Sequence, residues 1–248
     1  MVRIYGQERS DDEVRAFVRD YKRRIEANPR GRYVQVRAMV PPGGRVLDYG
    51  CGWGSFAQML AERGHRVVGI DLDDNEIDIC RLAWEEGERL RFRRAEIHEL
   101  EDQSFDCVVS NEVVEHVHNV GTYLDQINRV LVPDGTLVIS LPNVMTPRLM
   151  APLLSPRLGR HLERISSDTR ARYRKAQDHV NAWDPSHFVR LVSTVGFAFA
   201  EYRPLEGIAL PHGRLWPSYV RFPPLRQFSY SMAFRFTKVA ESHIGRFD

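Results

Sequence analysis

Val46-Leu47-Asp48-Tyr49-Gly50-Cys51-Gly52-Trp53-Gly54 is the stretch that fixes the reading of the whole chain. A short apolar strand, residues 45–49, runs into a turn with glycine at alternate positions, and a helix is predicted directly after it, over residues 55–63. Glycines there let the backbone bend tightly and approach a ligand closely, because no Cβ obstructs. The start of the following helix adds free N–H groups and a partial positive charge. A glycine trio between a strand and a helix, at the first unit of an α/β pattern, marks a nucleotide site.

Downstream the pattern keeps alternating. Strands are predicted over residues 66–71, 90–97, 105–110 and 135–141, and helices over 76–86 and 120–130. Continuous apolar strands separated by helices argue a parallel sheet covered on both faces. An amphipathic helix from Pro185 carries Phe188, Leu191, Val192 and Val195 on one face. A strand at 197–202 and a last strand at 229–239, antiparallel to its neighbour, complete the expectation: an α/β fold with a doubly wound, mostly parallel seven-stranded sheet. Upstream, Ser10 or Asp11 caps a helix bearing Val14, Phe17, Val18, Tyr21 and Ile25, and a second short helix covers 33–39. Residues 1–44 thus read as an N-terminal helical cap. Residues 45–248 read as one domain, with a helical insertion at 145–178 and an aromatic lid at 204–230.

The 248 residues include 43% hydrophobic and 27% charged, an ordinary globular composition. No run approaches the ~18 apolar residues of a membrane span, and the first twenty residues lack a signal-peptide core, so a cytoplasmic location is expected. Cys51, Cys80 and Cys107 form no CxxC pair, which excludes a disulfide framework or thiolate zinc cluster; Cys51 and Cys107 read as small buried core residues. Charge is unevenly spread: residues 46–147 hold eight Lys+Arg against 19 Asp+Glu, while the remainder holds 27 against 14.

Asp71 ends the second strand about 20 residues after the glycines, where an acidic side chain can accept both hydrogen bonds from a ribose diol. The glycine spacing is not GxGxxG but Asp48-x-Gly50-x-Gly52-x-Gly54. With Asp71, Ser104-Phe105-Asp106 and Leu131-Val132-Pro133-Asp134-Gly135 in this order, the chain resembles the class I S-adenosylmethionine-dependent methyltransferases over roughly residues 40–202. The resemblance implies that Gly50, Gly52 and Gly54 line the methionine and ribose portion of the cofactor, with Asp48 anchoring the turn or approaching the amino group. Asp71 would hold the ribose hydroxyls, Leu72 would pack on adenine, Glu96 would take the adenine amino hydrogen with Ile97 beside it, and Asn111 would border the methionine end. The family more often carries aspartate where Glu96 stands. S-adenosylhomocysteine would be the product.

A sulfonium is already an activated leaving group, so in-line positioning and water exclusion supply most of the catalysis. If the acceptor must lose a proton, His116 and His179 are the candidate bases. Glu112, Glu115, His116 and His179 also resemble, in type and order, the metal site of small-RNA 3′-terminal 2′-O-methyltransferases, and Glu112 and His116 would share a face if a helix starts early enough. The same skeleton occurs in metal-free relatives, so neither a metal nor nucleic acid is expected. The expected activity is methyl transfer to a hydroxyl of a small metabolite, lipid or sugar, with peripheral membrane contact through Arg and aromatic residues of the lid as a further option. The alternatives are a metal-dependent RNA-end methyltransferase and a non-catalytic cofactor-binding partner or sensor.

Overall fold

The chain opens with a feature that periodicity did not reveal, a hairpin of β1 (Val2–Ile4) and β2 (Gln7–Arg9). Helix α1 (Asp11–Glu26) follows, its start fixed by a capping box in which Ser10 and Glu13 satisfy each other's backbone N–H groups. Next come α2 (Arg32–Arg37), β3 (Arg45–Tyr49), α3 (Ser55–Ala61), β4 (Arg66–Asp71), α4 (Asp74–Ala83), β5 (Leu90–Arg94), β6 (Phe105–Asn111), α5 (Val120–Val130) and β7 (Leu131–Pro142). The chain continues through α6 (Pro147–Leu153), α7 (Leu158–Arg172), α8 (Pro185–Ser193), β8 (Phe197–Ala209), β9 (Leu215–Pro217) and β10 (Ser229–Lys238). This computed structural model describes residues 2–172, 179–209, 215–217 and 223–243.

The main sheet runs in the order β5-β4-β3-β6-β7-β10-β8-β9. The first five strands are parallel, and β10 lies antiparallel between β7 and β8. Seven strands are those read from the sequence; the three-residue β9 adds a short edge. Strand β8 also runs on through Pro204 to Ala209, into the stretch expected to be an aromatic lid. Of that lid, residues 210–214 and 218–222, including Arg214, Tyr219, Arg221 and Phe222, lie outside the described residues, as do residues 173–178 of the insertion.

Alternate residues of each central strand feed opposite faces. Val46, Cys107, Val109 and Val138 pack with α1, α2, α3 and α4 on one side. Leu47, Val108, Leu137 and Ile139 pack with α5 and α8 on the other. Burial on both faces is why these strands read as unbroken apolar runs. All three cysteines are free and buried. Among the described residues, no helix is long and apolar enough to cross a membrane.

A buried polar clasp holds the antiparallel end in place. Asn128 Nδ2 donates to the carbonyls of Val195 (2.8 Å) and Ala240 (2.9 Å), and the Lys238 ammonium donates to the carbonyls of Asn128 and Leu131, both at 2.9 Å. Removing the amide would leave the buried Val195 carbonyl and the part-buried Ala240 carbonyl without that donor, at about 1–3 kcal/mol. Asn128→Ala is therefore expected to lower Tm by several degrees in a thermal melt.

Candidate functional site

The turn after β3 folds as its glycines require. Gly50, Gly52 and Gly54 have φ of 76°, 49° and 69°. A Cβ on Gly50 would lie 2.5 Å from a Val113 methyl, and one on Gly54 would lie 2.6 Å from the Phe92 ring. These two glycines are thus demanded by packing beneath the turn. Gly52 differs: a Cβ there would meet only Glu76 Oε2, at 3.9 Å, so its face is open to a ligand. The Asp71 carboxylate fixes this loop, accepting from Gly52 N–H (3.0 Å) and from Asp73 N–H (3.1 Å).

Above Gly52 lies a cavity of about 240 Å³ at the C-terminal edge of the parallel strands. Asp48, Gly50, Gly52 and Asn111, four of the residues picked from the sequence, line it. Asp48 is 2% exposed with Oδ2 unpartnered, and Asn111 Nδ2 is likewise buried without a partner. Gly54 lies beneath the turn and Asp71 reaches the cavity through Gly52. Leu72, Glu96 and Ile97 do not line it. They sit beyond the ends of β4 and β5, where Ala95 N–H donates to the Asp71 carbonyl. There Leu72 is 59% exposed and Ile97 is buried. The exposed Glu96 carboxylate already meets His98 Nδ1 at 3.0 Å.

The remaining wall comes from residues not expected as ligands, including Tyr5, Tyr21, Tyr33, Trp53 and Glu76. Trp53 makes edge contacts with Tyr5, Phe17 and Tyr21. The β1–β2 hairpin is tied down by Asn75, whose side chain bonds both the N–H (2.7 Å) and the carbonyl (2.9 Å) of Arg3. Tyr21 had a visible signal, its place in the amphipathic pattern of α1, but that pattern cannot tell a core face from a cavity wall.

The cavity is an acidic one. Burial, then the neighbouring Asp71 charge, pushes the Asp48 carboxyl up to about 7. Burial, then Asp71 and Asp73, pushes Glu76 up to about 7 as well. No lysine or arginine lines this cavity among the described residues, so it is suited to a cation.

In the turn after β6, five residues past Asn111, the two candidate histidines meet. Val114–His116 forms only a single 3-10 turn, so the helical face proposed for Glu112 and His116 does not form. Glu112 instead takes a left-handed φ of 55° and pairs with Arg32 at 3.1 Å, away from the histidines. The Glu115 carbonyl accepts from the N–H groups of Val180 (2.8 Å) and Asn181 (3.1 Å), zipping residues 179–181 to this turn. His116 and His179 thereby stack edge to face, ring centres 4.9 Å apart. Donor atoms of Glu115, His116 and His179 all lie within 4.8 Å of one another. Glu115 is 1% exposed with both carboxylate oxygens unpartnered, and burial, then Glu112, pushes its carboxyl up to about 8.

The raised Asp48 and Glu76 values set a pH dependence. The ligand-free folded protein retains protons that the unfolded chain releases above its ordinary carboxylate range near pH 4, so stability falls as pH rises from there through about 7. Glu76→Gln removes one titrating group. It is expected to flatten that fall, raising Tm at pH 8 by about 2–4 °C (on the order of 1 kcal/mol after solvent screening) with little change at pH 4, as read by thermal melts.

A model of the methyltransferase domain matches residues 15–202. A ubiquinone biosynthesis O-methyltransferase of Hahella chejuensis is 38% identical over 129 residues, half of this chain and 54% of that protein. A demethylmenaquinone methyltransferase of Clavibacter sepedonicus is 29% identical over 195 residues, 75% of this chain and 80% of that protein. The chain thus spans about half the length of the ubiquinone-named relatives it matches. Among solved structures, the Burkholderia thailandensis 1,6-didemethyltoxoflavin-N1-methyltransferase with bound S-adenosylhomocysteine superposes with a TM-score of 0.56 at 18% identity, covering 96% of this chain and 94% of that one. With the strand order, the glycine turn and the acidic residue closing β4 all in place, the chain belongs to the class I S-adenosylmethionine-dependent methyltransferases.

Proposed function

We propose that this protein transfers a methyl group from S-adenosylmethionine to an oxygen of a small, partly apolar metabolite or lipid acceptor, such as a quinone precursor. One observation carries the reading: an acidic, aromatic-walled cavity lies over Gly52, and the turn that follows its lining residue Asn111 carries His116 packed against His179. The ubiquinone-related naming of a 38% identical relative supports an oxygen acceptor of quinone type.

The residues present fit the cofactor. The unpartnered Asp48 Oδ2 and Asn111 Nδ2 offer an acceptor and a donor to a zwitterionic amino-acid end, and the open face of Gly52 leaves room for the ligand backbone. Asp71 would accept from the ribose hydroxyls, and Leu72 and Ile97 would flank the adenine, with Glu96 at its amino edge. Bound there, S-adenosylmethionine supplies a methyl group on a positively charged sulfur. Asp48 and Glu76 complement that charge, and Tyr5, Tyr21, Tyr33 and Trp53 keep water out. His116, held by its turn against His179, takes the acceptor proton.

Asp71→Ala is expected to weaken S-adenosylmethionine binding by about 30- to 150-fold, the worth of two charge-assisted hydrogen bonds at roughly 2–3 kcal/mol, in a calorimetric titration. Unchanged affinity would remove the ribose assignment.

A second reading is favoured by the grouping of Glu115, His116 and His179, whose carboxylate and two imidazoles suit a divalent metal ion. There the metal rather than His116 would lower the acceptor's pKa. His116→Ala is expected to cut turnover by about 10²-fold or more while cofactor affinity stays unchanged. Full wild-type activity after dialysis against a chelator supports the base. Activity lost in chelator and restored by Mn²⁺ or Mg²⁺ supports the metal. Cofactor binding without turnover on any acceptor, with or without metal, would support a non-catalytic binding protein.

A further inference from the structure

We propose that α6 and α7 form a docking surface for an anionic lipid bilayer. Ten large apolar side chains are conspicuously exposed among the described residues, and five fall within these two helices and their junction: Leu149, Leu153, Leu154, Leu162 and Ile165, at 40–78% exposure. The other five are scattered singly over the molecule, which is ordinary for a protein surface. On α7, Leu162 and Ile165 continue the row begun by Leu158, at i, i+4 and i+7, so they share one face.

Charge identifies the occupant. Arg164 stands about 130° around α7 from the centre of that apolar row, Arg157 comes just before the helix on the same side, Arg160 lies on the opposite side, and Arg148 lies on α6; across residues 148–168 only Glu163 and Asp168 oppose them. A purely apolar face could cover another protein, but an apolar row flanked by arginines matches the headgroup boundary of a bilayer. Leucine and isoleucine enter the acyl region there while guanidinium groups stay with lipid phosphates.

The position of the helices gives the surface a use. The excursion leaves the sheet at Asn143 and returns at Trp183, and the neck is closed by the Asn143–Trp183 bridge and by Val144 N–H donating to the Trp183 carbonyl at 3.2 Å. His179 lies on the returning segment of that neck, four residues before Trp183. The apolar helices therefore emerge from the edge of the sheet that carries the cavity. The docking surface stands independently of the methyl-transfer reading, since it is measured without cofactor.

The test is co-sedimentation of the full-length, ligand-free chain with vesicles of phosphatidylcholine alone and of phosphatidylcholine with one third phosphatidylglycerol. Binding to the anionic vesicles, weakened by added salt, is expected. The double substitution Leu162→Asp/Ile165→Asp should abolish it, and Arg157→Glu/Arg164→Glu should weaken it by about tenfold or more. Val239→Asp, an exposed apolar position away from these helices, should leave it unchanged. All these side chains are exposed, so circular dichroism and Tm should match the wild type. No binding to either vesicle, equal binding to both, or binding that survives the double aspartate variant would overturn the proposal. So would a concentration-dependent dimer that the aspartate variant dissolves, which would assign this face to a second copy of the chain.

Discussion

The hydrogen bond from Gly52 N–H to the Asp71 carboxylate joins the ends of two adjacent parallel strands at the point where the chain turns back into α3. It holds the open face of Gly52 toward the cavity, while the close approaches at Gly50 and Gly54 lock the loop from below against Val113 and Phe92. Asp71 thereby has two tasks: it shapes the turn, and it raises the proton affinity of Asp48 and Glu76 through its own charge. Three carboxylates held within one low-dielectric region repel one another, and a cationic ligand relieves the repulsion. The same arrangement that costs the empty protein stability prepares it for a sulfonium.

The second half of the site depends on a different constraint, the zipping of residues 179–181 onto the turn after β6. Two backbone donors, Val180 and Asn181, converge on one carbonyl of Glu115, and this is what brings His179 to His116 across more than 60 residues of chain. The burial of Glu115 with two unpartnered oxygens follows from the same closure. Glu112 is excluded from the group by its own backbone, because a left-handed residue directs its side chain toward Arg32 on α2. The excursion whose returning segment carries His179 also bears the exposed leucines and arginines of α6 and α7, so the site and the proposed membrane face share one neck.

Much of this was legible in the one-dimensional pattern. Strands buried on both faces must be apolar throughout, helices must show a stripe, and a turn that admits no Cβ must be glycine; these local demands made β3 to β7 and α1, α3, α4, α5 and α8 readable. The acidic residue closing β4 was legible because its distance from the glycines is fixed by one strand–helix–strand unit. Other features left no such trace. The β1–β2 hairpin is only three residues per strand, and it is held by Asn75, far away in sequence. The extension of β8 to Ala209 runs through a proline that an edge-like position tolerates, so the strand was expected to end at Tyr202 and the lid to begin at Pro204.

The sequence by itself determined the fold class, the order of the elements along the chain and the glycine turn after β3, because each rests on periodicity or on steric limits acting within a few residues. The tertiary structure alone decided which aromatic residues wall the cavity, that Glu76 joins Asp48 there, that Glu112 departs while Glu115, His116 and His179 converge, and that the leucines of α6 and α7 stay exposed. Those outcomes depend on contacts between distant segments and on the burial that raises a carboxyl's proton affinity, and neither is encoded in the spacing of residues along a chain.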